Sequence, residues 1–437
     1  MTLGNGKQCQ EVALMSAWTA YAGESLEATA RDAAMEILDQ LAIEVQGERL
    51  SMDLWEGAAG VTLALESIGT VAGDAALTMA ADRAWSNVLD DLANRVLGPS
   101  LFMGIAGPGW VQAYLEKSST DEGDNDGIHE ALETTLLDHV RAHRHNTRLL
   151  GNDLIGGLVG VGVYALERWP HGRSVEILTD VISALASRAI ESRNGFTWLD
   201  HQKRLSPGMN ASPDLGVAHG VPAMLVLFAR AEQLNMLSVR ARDVLEGTAT
   251  WLIHEQRDDA ANFRYGYTAD SVPSGTKRGY SRLAWCYGDL GVANAFAVAG
   301  NCCERKEWLT QANLLALHCA KMAFEDTGVD DHGVCHGAAG VAHLFARIAG
   351  LVSNPELLSA ARRWLSLLLE TRVPGVGIGG FARMKPRNPS GNGPEERDYY
   401  LAKDPGFLMG AAGVALVLTA SHSSIDPSWD RVLLASV

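Results

Sequence analysis

The stretch Val334-Cys-His-Gly337-Ala-Ala-Gly340-Val-Ala determines the fold, because its Gly-x-x-Gly core followed by an apolar run recurs along the chain. Further copies begin at Gly57, Gly104, Gly157, Gly288 and Gly410, and a seventh at Gly220 keeps only its first glycine. Successive first glycines are separated by 47 to 73 residues. Spacing this irregular argues against an open solenoid and favours one supersecondary unit repeated with loops of variable length.

Each unit is predicted to contain two helices of different character. Amphipathic segments with charged residues on one side precede the glycine motifs, at 24–46, 74–96, 129–145, 174–193, 238–257, 306–325 and 355–372. Nearly uncharged runs, such as residues 61–65, follow the motifs. Charged helices suit an outer ring facing water, and apolar helices suit an inner ring. The sequence therefore predicts an all-α fold, an (α/α)7 toroid of seven outer–inner helix pairs.

The repeats run along nearly the whole chain, and no linker-like segment rich in Pro, Gly or Ser divides them. We therefore expect a single domain over residues 1–437. In such a ring, glycine lets the inner helices approach closely near the axis, at a cost of about 0.5–1 kcal/mol per helical glycine. The same geometry directs the N-termini of the inner helices, with their positive dipole ends, toward one face.

Two cysteines occupy equivalent positions in consecutive repeats. Cys286 and Cys335 each lie two residues before the first glycine of their motif, and His336 follows the second cysteine. Thiolate and imidazole are preferred ligands of Zn²⁺, and three protein ligands with an open fourth position are typical of a catalytic site. Positive helix ends favour the thiolate form that binds metal. The sequence predicts one Zn²⁺ per chain at these residues.

Four further residues are candidate catalytic groups. His219 directly precedes the first glycine of the fourth repeat, so we expect it on the same central face as the metal, where it is the leading candidate acid/base. Asp153, in the adjacent third repeat, could orient an imidazole. Arg282 could stabilise developing negative charge, and Tyr287 is placed to donate a hydrogen bond.

Each of these residues also has a structural interpretation that the sequence leaves open. The two cysteines and the neighbouring histidine could be three separate buried residues. His219 could be a core or capping histidine, and Asp153 could cap its inner helix. Arg282 could belong to a structural ion pair, and Tyr287 could be only a packed aromatic residue.

Composition argues against several classes of protein, namely nucleic-acid-binding, secreted, membrane-spanning and disulfide-rich proteins. The net charge of −16 argues against a nucleic-acid-binding groove, which needs clustered Lys and Arg. The N-terminus lacks the apolar run of a signal peptide, and no stretch is long and apolar enough to predict an integral membrane segment. Six cysteines in a chain of 437 residues do not resemble a disulfide framework. We therefore expect a cytoplasmic protein with free thiols.

Three long segments, 194–214, 258–283 and 373–403, are rich in Gly, Pro, Asn, Arg and aromatic residues. They are predicted to be loops, and the latter two immediately precede glycine motifs. We therefore expect those two to cluster near the mouth of the site, as candidate peptide-binding surfaces.

The repeated Gly-x-x-Gly pattern, the Cys286-Tyr-Gly and Cys335-His-Gly elements and the segment Asp214-Leu-Gly-Val-Ala-His219-Gly together resemble the lanthionine synthetase C-like family. The likeness is strongest to stand-alone lanthipeptide cyclases of the nisin-cyclase type and covers essentially the full length. It implies an α-toroid whose Zn²⁺ site adds peptide cysteine thiols to dehydroalanine or dehydrobutyrine, as in lantibiotic biosynthesis. The implied metal ligands are Cys286, Cys335 and His336.

The resemblance also places an Asp, a His, an Arg and a Tyr of the family pattern at Asp153, His219, Arg282 and Tyr287. The implied partner is a dehydrated precursor peptide, and a dehydratase in the same biosynthetic complex is a further candidate. Nisin-type cyclases carry a small β-rich element, for which this sequence shows no clear strand pattern. An alternative hypothesis is a non-cyclising, zinc-containing protein of the same family that binds thiols, glutathione or peptides.

Overall fold

The computed structural model describes residues 18–47, 49–118, 126–199, 212–257, 262–271, 280–387 and 399–437. Seven outer helices lie in this part of the chain: α1 (Gly23–Glu44), α3 (Ala75–Asn94), α5 (Asp126–His143), α7 (Ser174–Arg188), α9 (Val239–Glu255), α11 (Lys306–Ala320) and α13 (Glu356–Glu370). Seven inner helices alternate with them: α2 (Ala58–Ala72), α4 (Ala106–Ser118), α6 (Leu158–Arg168), α8 (Val221–Gln233), α10 (Asp289–Cys302), α12 (Ala338–Leu351) and α14 (Ala411–His422).

The inner helices form a closed ring, because each contacts the next and α14 returns to contact α2. Among the outer helices, each inner helix contacts chiefly the one that follows it in the chain, and α14 packs against α1. The predicted (α/α)7 toroid is thereby confirmed. In the sequence, each outer segment precedes the glycine motif of its unit. In the structure, each inner helix is instead paired with the outer helix that follows it, and the first outer helix, α1, pairs with the last inner helix, α14.

A ring of backbone hydrogen bonds joins the seven loops that enter the inner helices. In each loop, the carbonyl group two residues before the first glycine accepts an N–H from the loop of the preceding repeat. The accepting residues are Trp55, Phe102, Ile155, Ala218, Cys286, Cys335 and Leu408. Closure is complete, since the N–H of Leu408 donates to the carbonyl of Trp55 at 3.2 Å. All seven inner helices therefore begin at one end of the toroid, as predicted.

The second glycine of the motif is required mainly by its own loop. A Cβ atom on Gly340 would lie 1.9 Å from the carbonyl oxygen of Val334, six residues earlier in the same repeat. Contact with a neighbouring repeat is also close, because a Cβ atom on Gly60 would lie 2.7 Å from the Cβ of Phe407. The expectation that glycine serves the approach of neighbouring inner helices is thus only partly right.

The C-terminal segment fills the middle of the ring. It contains a 3-10 helix, Ser428–Leu433, whose side chains Trp429 and Val432 are buried. The indole Nε1 of Trp285 donates to the carbonyl of Leu433 at 2.8 Å, directly beneath the loop that carries Cys286. Other contacts reach α6, α8, α10 and α12, so the segment lies inside the ring. We call residues 428–437 the C-terminal plug.

Two short antiparallel hairpins interrupt the helical pattern. Strand β1 (Ile190–Ser192) pairs with β2 (Gly195–Thr197), and β3 (Arg383–Pro386) pairs with β4 (Tyr399–Ala402). Segments 194–214 and 373–403, predicted to be loops, therefore contain strands; their parts at 200–211 and 388–398 lie outside the described residues. Among the described helices, none has both the length and the apolar character needed to cross a membrane.

Candidate metal centre

The structure brings the three predicted metal ligands together. The ligand atoms of Cys286, Cys335 and His336 all lie within 4.8 Å of one another, and Sγ of Cys286 is 4.0 Å from Nδ1 of His336. The loop hydrogen-bond ring explains the proximity, because the N–H of Cys286 donates to the carbonyl of Cys335 at 3.2 Å. Both cysteines are buried, and the histidine is half-buried.

The donor set fits zinc. Two sulfurs and one imidazole nitrogen at these separations can surround a single ion whose bonds to its ligands are about 2.0–2.3 Å long. Nε2 of His336 donates to Oδ2 of Asp331 at 2.8 Å, which turns Nδ1 toward Cys286. A carboxylate behind a ligating histidine fixes its tautomer and its orientation, as is usual around protein metal sites.

Asp331 was not predicted from the sequence, although a signal exists for it. An aspartate lies six residues before the first glycine in three repeats, at Asp214, Asp331 and Asp404. In each case the carboxylate accepts the backbone N–H two residues further on, at 2.8–2.9 Å. The repeated position thus has a local structural role, and in the sixth repeat its second oxygen also holds a metal-ligand candidate.

Electrostatics around the cluster favour a thiolate. A hydrogen bond from Cys335 lowers the pKa of Cys286 to about 5 despite burial, with help from the charge of His336. The same contact raises the pKa of Cys335 well above its usual value. Burial opposes the charge of His336, but Asp331 and Cys286 raise its pKa to about 9. One thiolate and a carboxylate beside a second thiol, which would lose its proton on binding a metal, suit a divalent cation.

His219 and Asp153 form a hydrogen-bonded pair beside this cluster. Nδ1 of the histidine donates to Oδ2 of the aspartate at 2.9 Å, so Nε2 is the nitrogen left for chemistry. Burial lowers the pKa of His219, but the hydrogen bond and charge of Asp153, with the charges of Asp214 and Cys286, outweigh it and raise the pKa. Asp153 is not the cap of its helix, because Gly157 is the N-cap residue of α6.

Tyr287 and Arg282 are the two remaining candidate residues, and the ring centroid of Tyr287 lies 6.5 Å from that of His219. The hydroxyl group of Tyr287 donates to Oδ2 of Asp214 at 2.9 Å, so this residue is more than a packed aromatic ring. Nε of Arg282 donates to the hydroxyl of Tyr267 at 3.4 Å, and in the described part of the chain no carboxylate pairs with its guanidinium. Burial opposes the charge of Arg282, but Tyr267 and then the two cysteines raise its pKa.

Comparisons with known proteins agree with this architecture. The family model described as "Lanthionine synthetase C-like protein" matches residues 48–434. The chain belongs to the lanthionine synthetase C-like family. No curated protein matches it significantly.

Among solved structures, a protein named "Nisin cyclase" is similar with a TM-score of 0.70 and 18% identity, over 93% of this chain and 97% of that one. A structure named "Glycosyl hydrolase family 88 from Bacteroides vulgatus" has a TM-score of 0.42 and 12% identity, over 90% and 98% of the two chains. The first match supports the toroid fold of this lanthionine synthetase C-like chain.

Three other cysteines of this lanthionine synthetase C-like chain lie away from the candidate metal centre. Cys302 is the last residue of inner helix α10, and Cys303 follows it, shortly before outer helix α11 begins at Lys306. Cys319 lies on outer helix α11. Burial raises the pKa of Cys302 to about 11 and that of Cys303 to about 12, so these thiols serve packing.

Proposed function

We propose that this chain is a zinc-dependent lanthipeptide cyclase. It would join cysteine thiols of a dehydrated precursor peptide to dehydroalanine or dehydrobutyrine, forming lanthionine or methyllanthionine rings. The observation that carries the proposal is the cluster of Cys286, Cys335 and His336 at the helix-start end of a toroid whose family is established. A neighbouring imidazole, guanidinium and phenol supply the other groups that this reaction needs.

Zn²⁺ held by these three residues would supply Lewis-acid chemistry, lowering the pKa of the substrate thiol so that it enters as a thiolate. In the addition, a C–S bond forms at the β-carbon of the dehydro residue while the C=C π electrons move toward the carbonyl oxygen. The resulting enolate then takes a proton at its α-carbon. The thiol proton and the new α-proton balance, so the ring forms without change of mass.

We assign the proton transfers to His219, with Asp153 orienting its ring. The raised pKa of His219 keeps a larger share of imidazolium near neutral pH than a free histidine has, which suits a group that donates to carbon. Arg282 is assigned to the enolate oxygen, because its guanidinium lies in the field of the two cysteines and has terminal N–H groups to offer. Tyr287 is assigned as a second hydrogen-bonding group for the substrate: its proton bonds Asp214, and its hydroxyl oxygen can accept from a substrate N–H.

The remaining proposals concern how the peptide reaches the site and the setting in which the protein acts. We propose that the peptide approaches the end of the toroid where the inner helices begin, since the metal centre and His219 both lie there. We further propose a single domain over 1–437, a cytoplasmic location and a dehydratase as supplier of the dehydrated peptide, as expected from the sequence.

The test combines zinc analysis with a cyclisation assay. Protein purified without chelators is expected to carry about one zinc per chain, and Cys335→Ala to lose both zinc and activity, because two ligands bind zinc far more weakly than three. Ring formation is measured as loss of free thiol in a dehydrated precursor peptide at unchanged peptide mass. Cys303→Ala, which removes a half-buried packing thiol, is the matched control and should keep both properties.

Two results would contradict the proposal in different ways. Wild-type protein without zinc would remove the metal centre from the mechanism. Wild-type protein that binds zinc and peptide but leaves the free thiols intact would instead support the alternative, a non-cyclising thiol- or peptide-binding protein of this family.

A further inference from the structure

Tyr267 lies between two loops of the candidate site, although it belongs to neither glycine motif. Its N–H donates to the carbonyl of Tyr280 at 3.2 Å, and its carbonyl accepts the N–H of Leu215 at 3.0 Å. The next residue, Thr268, forms an isolated antiparallel bridge with Asp214. The backbone of Tyr267 is therefore held between the loop of the fourth repeat, which carries His219, and the loop of the fifth, which carries Arg282.

The start of the same segment is anchored on a buried carboxylate. Asp289, fully buried in the first turn of α10, accepts the N–H groups of Arg264 and Tyr265 at 2.9–3.0 Å. The hydroxyl of Tyr265 donates to the carbonyl of Leu252 at 2.9 Å. These bonds tie the segment to the helix that follows Cys286, so the position of Tyr267 is fixed relative to the metal centre.

The side chain of Tyr267 contacts two residues assigned to the reaction. Its hydroxyl accepts the hydrogen bond from Nε of Arg282 at 3.4 Å. Its ring packs edge-on against the ring of Tyr287, with centroids 5.0 Å apart and an interplanar angle of 80°. Within the described residues, Nε is the one guanidinium nitrogen of Arg282 that has a hydrogen-bond partner, so the two terminal nitrogens remain available to a substrate oxygen.

We propose that Tyr267 is a positioning residue that orients the guanidinium of Arg282 toward the reacting carbonyl oxygen and limits the motion of Tyr287. The inference rests on the proposed cyclase function. A guanidinium on a long flexible stem stabilises an enolate best when its direction is fixed before charge develops, because reorientation during the reaction costs free energy. A phenol that accepts from Nε fixes that direction and leaves the terminal N–H groups open.

The test is Tyr267→Phe, which removes the hydroxyl and keeps the ring. We expect kcat for cyclisation to fall about tenfold, the scale of one hydrogen bond to a charged group, with KM and zinc content nearly unchanged. Tyr164→Phe is the matched control, because it removes a buried tyrosine hydroxyl that bonds Glu133 and His129, outside the candidate site. It should lower the melting temperature and leave kcat within about twofold, since Tyr164 has no part in holding Tyr267 or Arg282.

A double-mutant cycle separates positioning from general structural support. Arg282→Lys keeps the charge but lacks the Nε–H donor, so adding Tyr267→Phe to it should lower kcat by less than about twofold. A full tenfold loss in that background would overturn the inference, and so would a rise in KM at unchanged kcat or a single variant with wild-type kcat. If wild-type protein forms no ring, the proposed function fails and this inference with it; if wild type cyclises and Tyr267→Phe matches it, only the inference fails.

Discussion

Two His–Asp pairs in this toroid place the same side chains in contrasting surroundings. His219 and Asp153 are joined at 2.9 Å beside the candidate metal centre, and His343 and Asp430 are joined at 2.7 Å where α12 meets the C-terminal plug. The side chain of His219 is 34% exposed, whereas that of His343 is 1% exposed. A short hydrogen bond alone therefore does not identify a catalytic pair.

The carboxylates differ as much as the imidazoles. Asp430 also accepts from Nε of Arg347 at 2.7 Å and from the hydroxyl of Ser436, so several buried donors satisfy it. Asp153 accepts one backbone N–H besides His219. In the plug, burial closes the network to solvent, including Nδ1 of His343, which has no partner among the described residues, whereas the side chain of His219 is partly exposed. The comparison indicates that access from solvent, more than residue type or unused bonding capacity, distinguishes the pair that we propose to be reactive.

The largest expected effect is on catalysis. His219→Ala should reduce kcat for cyclisation by about 10²–10⁴-fold, because general acid–base catalysis contributes on this scale. Zinc content should be unchanged, since no metal ligand is altered, and the partly exposed site should tolerate the smaller side chain. Steady-state cyclisation rates and metal analysis on the same preparation check both parts. Turnover equal to that of wild type would remove His219 from the mechanism. The two His–Asp pairs would then not differ in catalytic role.

The next largest effect is on stability, from a substitution in the C-terminal plug. Asp430→Asn leaves the buried guanidinium of Arg347 with the half-exposed Asp426 as its remaining anionic partner, so we expect the free energy of unfolding to fall by about 3 kcal/mol. Asp153→Asn is the matched change at the site and should cost less than about 1 kcal/mol, since its surroundings are more solvated. Denaturant unfolding of both variants measures the difference. Equal losses would show that the two carboxylates are structurally equivalent.

The repeat pattern explains why the residues of the candidate metal centre could be predicted from the sequence. Cys286 and Cys335 occupy the same position in consecutive repeats, and the loop hydrogen-bond ring places that position side by side around the toroid. Arg282 likewise lies six residues before its first glycine, as Asp331 and Asp214 do in the neighbouring repeats. Comparing the repeats at this position identifies both aspartates as neighbours of the site from the sequence alone.

Other parts of the site have no counterpart in the repeats. Tyr267 contacts Arg282 from a segment that lies between two helices. The path of this segment depends on hydrogen bonds to the buried carboxylate of Asp289, and no periodic pattern in the sequence predicts those bonds. The plug is similarly unpredictable, because a short apolar chain end gives no indication that it lies inside a ring rather than on its surface. Contacts that depend on loop paths therefore cannot be read from periodicity.

The smallest expected effect is a difference in pKa between the two histidines. Burial lowers the pKa of His343, and the charge of Arg347 opposes the attraction of Asp430. Burial also opposes the charge of His219, but the hydrogen bond and charge of Asp153, with the charges of Asp214 and Cys286, outweigh it and raise its pKa. Protonation of His219 therefore stabilises the fold fully below about pH 6.5, the value of a free histidine, and this stabilisation is lost as pH rises through the higher folded value. Neutral His343 stabilises it above about pH 6.5, and this is lost as pH falls toward the lower folded value.

Imidazole proton resonances followed by NMR in the zinc-free protein, assigned with His219→Asn and His343→Gln, measure both pKa values directly. We expect the two midpoints on opposite sides of about 6.5. Midpoints on the same side would mean that Asp153 and Asp430 act alike on their histidines. The contrast between the two pairs would then rest on access to substrate alone, since the electrostatic difference that makes His219 the better proton donor would be absent.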